Sequence, residues 1–201
     1  QKVGHGGTLD PQATGLLVLL LGRATKLSNR FLGSDKTYEG AMRFGISTDS
    51  QDAQGRVIAE APADGVTEDR LRAGMKGLLG DSYQTPPMVS AIKIAGVPLY
   101  KLARKGETVE RTPRVIHIYE FELLGFNPPD ADFRVTCTKG AYVRTLCSDL
   151  GDSLGCGAHL IRLRRTVSGS LRIEDAATLD TVLSWDRETL ARHVLPMHRF
   201  V

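Results

Sequence analysis

One carboxylate near the start of the chain is placed where it can take part in chemistry. Asp10 belongs to the segment G-H-G-G-T-L-D-P-Q-A-T-G, which spans residues 4–15. Three glycines within four positions let the main chain take positive φ and approach a ligand closely. Pro11 fixes its own φ and biases Asp10 toward an extended conformation. The pattern predicts a stiff loop that presents one carboxylate, although an Asp before Pro is also typical of an ordinary turn.

The elements that must hold this loop can be predicted from periodicity. The apolar run 16–21, ended by Gly22, predicts a buried strand that anchors the loop. Alternation with period two over 36–46 predicts a half-buried strand whose inward residues include Tyr38. Thr67 is a good N-cap for a helix running to Leu79.

The remaining elements follow from apolar spacing and from the Gly and Pro positions. Helices are predicted over 24–32, 98–106, 142–154, 179–185 and 187–194, and strands over 57–59, 112–126, 132–138 and 159–168. Residues 84–90 carry a Pro-Pro pair and predict a semi-rigid loop crossing the surface. Helices interrupted by unevenly spaced strands favour an α+β fold with a mixed, mostly antiparallel sheet flanked by helices.

Composition limits the classes of protein that this chain can belong to. Its 201 residues are 41% hydrophobic and carry a formal net charge of +3, which is too mild to establish nucleic-acid binding alone. Lys and Arg are, however, dense over 93–114 and 139–172. Cys137, Cys147 and Cys156 form no CxxC pair, so we expect small apolar residues in or near the core and a reduced, cytoplasmic setting.

The loop motif resembles a known family. G-H-G-G-T-L-D-P-x-A-T-G-L-L, followed by G-R-A-T-K-L, is similar to the catalytic-loop signature of the TruB family of RNA pseudouridine synthases. Further matching motifs follow in family order over 36–40, 84–93, 99–106, 139–146 and 155–165. The resemblance implies a pseudouridine synthase-like catalytic domain with no C-terminal PUA domain. Residues 1–201 then form a single catalytic domain, with 178–201 as a C-terminal helical part and the family's N-terminal segment missing.

The resemblance also implies an activity, the isomerisation of one uridine to pseudouridine in the T-loop of transfer RNA (tRNA). The substrate uracil must be flipped out of its stack. The implied partner is the tRNA T-stem-loop, with no cofactor, no metal, no membrane and no obligatory protein partner, and the chain is expected to be a monomer. Whether the carboxylate adds to the base, attacks the sugar or promotes proton loss from the ribose stays open.

Three residues match the family's catalytic positions. Asp10 is the implied nucleophile, and Arg144 is the cation that keeps it ionised. Tyr38 is implied to stack on the extruded base and to take the proton from C5. From the residues alone, Arg144 also fits a solvated helix face, and Tyr38 fits an inward strand position.

Other matches are to RNA-binding positions. His5 is implied to occupy the space left by the flipped nucleotide, and Tyr142 and Leu163 to line the pocket, although Leu163 fits a pure core role nearly as well. Gly6 stands where the family usually has Thr or Ser, which puts the rigidity of the loop in question. Basic residues are predicted to hold the RNA backbone: Lys93, Arg104 and Lys139, together with Lys105, Arg111, Arg114, Arg164 and Arg165.

Two other functions compete with this one. The first is a non-catalytic RNA-binding or tRNA-folding module. The second is the guide-RNA-dependent relative that modifies ribosomal RNA inside a ribonucleoprotein. Activity on a bare T-stem-loop without accessory proteins would exclude the guide-dependent relative, and a single-turnover assay on this chain tests the non-catalytic module.

Overall fold

The structure is a computed structural model that describes residues 1–90, 92–94 and 96–200. The side chain of Lys93 lies outside this description, and so does its predicted contact with RNA. The strands are β1 (Val3–His5), β2 (Thr14–Gly15), β3 (Leu19–Leu21), β4 (Lys36–Phe44), β5 (Ile46–Thr48), β6 (Val57–Glu60), β7 (Gly80–Gln84), β8 (Lys93–Ile94), β9 (Val97–Pro98), β10 (Arg114–Asn127), β11 (Asp130–Cys137), β12 (Ala158–Ser168) and β13 (Leu171–Arg172). The helices are α1 (Ser28–Leu32), α2 (Glu68–Gly77), α3 (Leu99–Ala103), α4 (Val143–Leu154), α5 (Leu179–Ser184) and α6 (Arg187–His193), with 3₁₀ turns at Gly22–Leu27, Ile173–Asp175 and Met197–Phe200.

A seven-stranded sheet is the centre of the fold. Its order is β13-β12-β4-β11-β10-β7, and β2 pairs with β12 beside this path. The pairs along the path are antiparallel, whereas β2 and β12 run parallel. The predicted α+β class with a mostly antiparallel sheet is therefore confirmed. Within the described part of the chain, no helix is long and apolar enough to span a membrane.

One face of the sheet forms the core. Inward residues of β4 and β11, such as Met42, Phe44 and Phe133, pack with Leu71 of α2 and Leu150 of α4. Each such fully buried side chain contributes about 1.5–3 kcal/mol of transfer free energy. The three cysteines are buried and free, as predicted. Thr67 caps α2 by accepting from the Arg70 N–H, and Gly155 ends α4 in the left-handed conformation, which also agrees with the prediction.

The opposite face of the sheet, here called the outer face, carries paired charges. Three arginines each have a carboxylate partner at 2.7 Å on another strand of the sheet: Arg43 with Asp130, Arg134 with Glu39, and Arg162 with Asp132. These side chains are partly or largely exposed, so each pair adds little to the free energy of unfolding. Their effect is to leave these three arginines already neutralised.

Three predicted elements differ in the structure. The helix predicted over 24–32 is a 3₁₀ turn up to Leu27 that is followed by the short helix α1. The run 16–21 is not a buried strand. Only Leu19–Leu21 forms a strand, and this strand pairs with β1 alone. Alternate residues of this run face solvent, and Leu19 is 58% exposed. Gln84 belongs to β7, which the sequence did not predict, and the prolines that follow it are buried rather than on the surface.

The side chain of Lys36 is buried at the start of β4. Its Nζ donates to the main-chain carbonyls of Phe31, Leu32 and Ser34 at 2.9, 3.1 and 2.5 Å, and so satisfies the end of α1. Burial, with a further contribution from the charge of Arg165, lowers the pKa of Lys36 from 10.5 to about 8.

This lowered pKa predicts a pH-dependent stability. Between about pH 8 and 10.5 the unfolded chain binds more protons at Lys36 than the native chain, so the free energy of unfolding contributed by this group rises with pH. Urea titrations should show the parent gaining stability relative to Lys36→Met across this window. Lys76→Met, which removes an exposed amine on α2 that does not contribute to the Lys36 pKa, is the control. Parallel curves for the parent and Lys36→Met would contradict the assignment.

Candidate active site

The loop that carries Asp10 is tied to the body of the protein at both ends. The Gly6 N–H donates to the Val18 carbonyl at 2.8 Å, and the Leu16 N–H donates to the Arg165 carbonyl at 2.8 Å. Gly15 has φ +100°, and a Cβ there would lie 2.3 Å from the carbonyl oxygen of Arg165, so this close approach requires glycine. The predicted stiff loop is present.

Gly6 is part of the same tight packing. A Cβ at this position would lie 2.6 Å from Cβ of Phe31 and 3.2 Å from Cβ of Val18. A larger residue would require Phe31 to move, because real Cβ contacts of 2.6 Å do not occur. The glycine that stands here in place of the family's usual Thr or Ser is therefore part of a closely packed loop, not a loose one.

Asp10 faces a buried arginine from the other end of the chain. Nε of Arg144, near the start of α4, lies 2.9 Å from Oδ2 of Asp10, and the Arg144 side chain is 3% exposed while that of Asp10 is 39% exposed. The Nε–H does not point along the line to Oδ2, so the contact is an ion pair rather than an aligned hydrogen bond. The structure thus brings together the two residues that were predicted to meet.

The rest of the Arg144 guanidinium is fixed by main-chain oxygens. Nη1 donates to the Ser50 carbonyl at 3.0 Å, and Nη2 donates to the Val89 carbonyl at 2.8 Å. A guanidinium presents its donors in a rigid planar fork, so these two bonds set its orientation. The edge that remains for Asp10 is therefore determined by two loops that are remote in sequence.

A second carboxylate, Asp52, was missed by the sequence reasoning. Its Oδ2 lies 3.5 Å from Nη1 of Arg144, and its side chain is 8% exposed. Its Oδ1 accepts from Oγ of Ser50 at 2.6 Å and from the Gln54 N–H at 3.0 Å. In the sequence these residues show only a polar turn ending at Gly55, and no signal in that turn indicates a partner 92 residues further on.

Two tyrosines lie within electrostatic reach of Asp10. Tyr38 is on β4, and burial raises its pKa to about 12; the Asp10 charge also raises this pKa, whereas the charge of Arg165 and a hydrogen bond from it lower it. Tyr142 directly precedes α4, and burial raises its pKa as well, with a hydrogen bond to Ser90 acting in the opposite direction. Both hydroxyls are therefore protonated near neutral pH.

Gln84 is a further residue that the sequence reasoning missed at this site. Its Oε1 accepts from the Tyr142 N–H at 2.7 Å, and its Nε2 donates to the Tyr142 carbonyl at 3.2 Å. The amide therefore pairs with the main chain as a neighbouring strand would. This pair fixes the start of α4, two residues before Arg144. The motif Q-T-P-P gave the position of Gln84 but not this contact.

The remaining predicted binding residues are spread around the site. His5 is exposed on β1, with Nδ1 3.4 Å from the Gly7 nitrogen. Leu163 is buried in the core on β12. Arg104 is exposed over the Tyr100 ring at 5.5 Å, and Lys139 is exposed. Among the described residues, none of these four forms a hydrogen bond or ion pair with Asp10 or Arg144.

One of the predicted phosphate contacts is wrong. Arg165 is 2% exposed, and its guanidinium donates to loop carbonyls, so it cannot reach an RNA backbone. Arg164 is exposed on the outer face, on the other side of the sheet from Tyr38, and its contact with RNA stays a prediction. Successive residues of a strand point to opposite faces, so neighbouring arginines of β12 cannot share one role.

Nothing in the described residues indicates a metal centre, since no group of three or more His, Cys, Asp or Glu side chains is arranged to hold an ion. The site therefore consists of one accessible carboxylate, one buried carboxylate, a buried guanidinium between them, and two aromatic rings. This set can hold a planar base beside a nucleophilic oxygen.

The chain belongs to the TruB family of pseudouridylate synthases. The family model for the N-terminal domain matches residues 1–143, and the model described as the tRNA pseudouridylate synthase B C-terminal domain matches residues 144–201. Among curated relatives, "tRNA pseudouridine synthase B" of Opitutus terrae is 51% identical over 199 residues, covering 99% of this chain and 83% of the relative. The protein of the same name from Aromatoleum aromaticum is 48% identical, and the chain spans 65% of its length.

Solved structures show the same fold. A chain of a Cbf5-Nop10-Gar1 complex superposes with a TM-score of 0.75 at 30% identity, covering 99% of this chain and 53% of that one. A chain of an H/ACA ribonucleoprotein bound to a substrate RNA containing 2′-deoxyuridine gives a TM-score of 0.68 at 26% identity, covering 99% of this chain and 49% of that one. The chain therefore spans about half the length of these structural neighbours.

The two carboxylates that face Arg144 should differ in their effect on stability. Asp52→Asn leaves a buried guanidinium without its buried partner, so it should lower the free energy of unfolding by about 3 kcal/mol. Asp10→Asn removes a partly exposed partner and should cost about 1 kcal/mol or less. Urea unfolding of both variants checks this, with Asp132→Asn on the outer face as the control. Equal losses for Asp10→Asn and Asp52→Asn would contradict the different burial of the two carboxylates.

Proposed function

We propose that this chain converts one uridine of the tRNA T-loop to pseudouridine, with Asp10 as the nucleophile. The observation that carries the proposal is the accessible Asp10 carboxylate paired with buried Arg144 in the fold of the TruB family. The relatives that are about half identical to this chain are named tRNA pseudouridine synthase B, which supports tRNA as the substrate.

The reaction is an isomerisation and is balanced within the substrate. The N1–C1′ bond breaks, the uracil rotates, a C5–C1′ bond forms, and the proton on C5 leaves while N1 gains one. No electron acceptor is needed. One carboxylate can serve by adding to the base, by attacking C1′, or by promoting proton loss from the ribose, and all three routes need Asp10 ionised.

Arg144 places a positive charge directly beside the Asp10 carboxylate. Its Nε lies 2.9 Å from Oδ2, and a guanidinium pairs with a carboxylate in a fixed orientation. Because Arg144 is also held by two carbonyls and Asp52, it does not have to reorganise when the RNA binds. We assign Arg144 the role of keeping Asp10 ionised and oriented.

Tyr38 and Tyr142 are proposed to hold the extruded uracil. Each supplies a flat apolar ring and a polar tip close to Asp10. Tyr38 is the proposed acceptor of the C5 proton; because its hydroxyl is protonated, it takes that proton only while it passes on its own, which N1 requires. Leu163 lines the apolar side of the pocket. His5, Lys93, Arg104 and Lys139 are proposed to contact the RNA around the flipped nucleotide.

We further propose that residues 1–201 act as one catalytic domain, as a monomer in the cytoplasm, without an obligatory protein partner. Pairing of β12 with β4 supports the single domain, because the two strands lie on either side of the boundary between the two family models. This chain is 51% identical to a relative named tRNA pseudouridine synthase B, but only 30% identical to a chain from a multiprotein complex. The difference supports action without protein partners.

The nucleophile is tested by Asp10→Asn. Tritium release from a T-stem-loop RNA labelled at C5 of uridine should fall by roughly 10³-fold or more, because the amide cannot act as the nucleophile. Binding of the same RNA should persist. Asp132→Asn, an acid on the outer face, should react as the parent does. Turnover by Asp10→Asn near the parent rate would exclude the mechanism, and a parent that binds the RNA without releasing tritium would favour the non-catalytic module.

The RNA interface is tested by the salt dependence of binding. The dissociation constant should rise steeply with salt, and Lys139→Gln should reduce the slope of log Kd against log salt by about 1, because one phosphate contact is lost. Arg162→Gln, on the outer face, should leave this slope unchanged. A slope close to zero in the parent would contradict the proposed phosphate contacts.

A further inference from the structure

Arg165 is a buried arginine whose partners among the described residues are neutral. It is 2% exposed, and the salt bridges formed by the described residues do not include it. Its Nε donates to the Leu16 carbonyl at 2.8 Å, Nη2 to the Gly7 carbonyl at 3.1 Å, and Nη1 lies 3.4 Å from the Thr8 carbonyl. Three of the oxygens that stabilise this charge therefore belong to the loop that carries Asp10.

Arg165 also belongs to the strand that pairs with the strand of Tyr38. On β12 it is the register partner of Tyr38 on β4, so its main chain is fixed beside that tyrosine. Its side chain binds carbonyls of the Asp10 loop. The donors of a guanidinium are rigidly arranged, so this one residue holds the loop at a fixed spacing from the Tyr38 strand.

Stability alone does not account for a cation at this position. Burying a guanidinium without a carboxylate costs free energy, and Arg165 also repels the buried Lys36. Its neutral partners lie in and next to the Asp10 loop, so the feature that Arg165 determines is the position of that loop.

We propose that Arg165 is a positioning residue for the isomerisation, and that it ties the Asp10 loop to the Tyr38 strand so that carboxylate and ring face the same uracil. This inference rests on the proposed function. Arg165 does not touch the substrate, since its guanidinium is buried beneath the loop. It acts through the positions of Asp10 and Tyr38, and the reaction itself is unchanged.

The test uses the whole chain with Arg165→Met and Arg165→Lys, and Arg162→Met as a control on the outer face of the same strand. Single-turnover tritium release from the C5-labelled T-stem-loop should fall about 10²-fold in Arg165→Met, which is the cost of displacing a reacting group by about 1 Å. The dissociation constant for the RNA should stay within about threefold, because no RNA contact is lost. Arg165→Lys keeps the positive charge but loses the planar set of donors, and should release tritium at an intermediate rate.

Hydrogen exchange provides a readout that does not depend on activity. Amides over residues 6–16 should exchange about tenfold faster or more in Arg165→Lys, while those of α4 keep their parent rates. If Arg165→Met does not fold, both measurements are made on Arg165→Lys. Tritium release at the parent rate by a folded Arg165→Met overturns the proposal, and so does a loss of rate that is matched by a loss of RNA affinity. Loop amides that exchange at the parent rate in Arg165→Lys also overturn it. A parent that releases no tritium overturns the proposed function instead, and loop exchange still decides whether Arg165 holds the loop.

Discussion

The guanidinium of Arg144 is the constraint on which the site depends. It is almost fully buried, so its charge must be compensated inside the protein. The carbonyls of Ser50 and Val89 occupy two directions, Asp52 adds a carboxylate, and one edge faces Asp10. The position of the proposed nucleophile is thus a consequence of how a buried cation is satisfied. A loop tip without such a partner would leave the carboxylate free to rotate.

This constraint works because the central sheet brings distant segments together. The loop at Asp10 pairs through β2 with β12, and β12 pairs with β4, which carries Tyr38. The strand register places Arg165 beside Tyr38, while α4 packs across the same face of the sheet and brings Arg144 to the loop. Sheet register and helix packing therefore fix the relative positions of groups that are more than a hundred residues apart in sequence.

Much of this arrangement could be predicted from the sequence, and the failures have physical causes. Period-two alternation correctly gave β4, and Thr67 and Gly155 correctly marked helix ends, because these signals are local. The pairing of Asp10 with Arg144 came from family resemblance, since no local pattern links them. Asp52 and Arg165 were missed or misassigned because a buried ion and a solvated one have the same residue type and spacing. Whether such a group is buried depends on tertiary packing.

The ladder of ion pairs on the outer face has a consequence for how a polyanion meets this molecule. Arg43, Arg134 and Arg162 each already have a carboxylate at 2.7 Å. A phosphate that approached them would compete with an acid held in place by another strand of the sheet and would also be repelled by it. These three arginines therefore offer nucleic acid little attraction. Counting arginines on a surface overstates its affinity for a polyanion when each of them already neutralises a carboxylate.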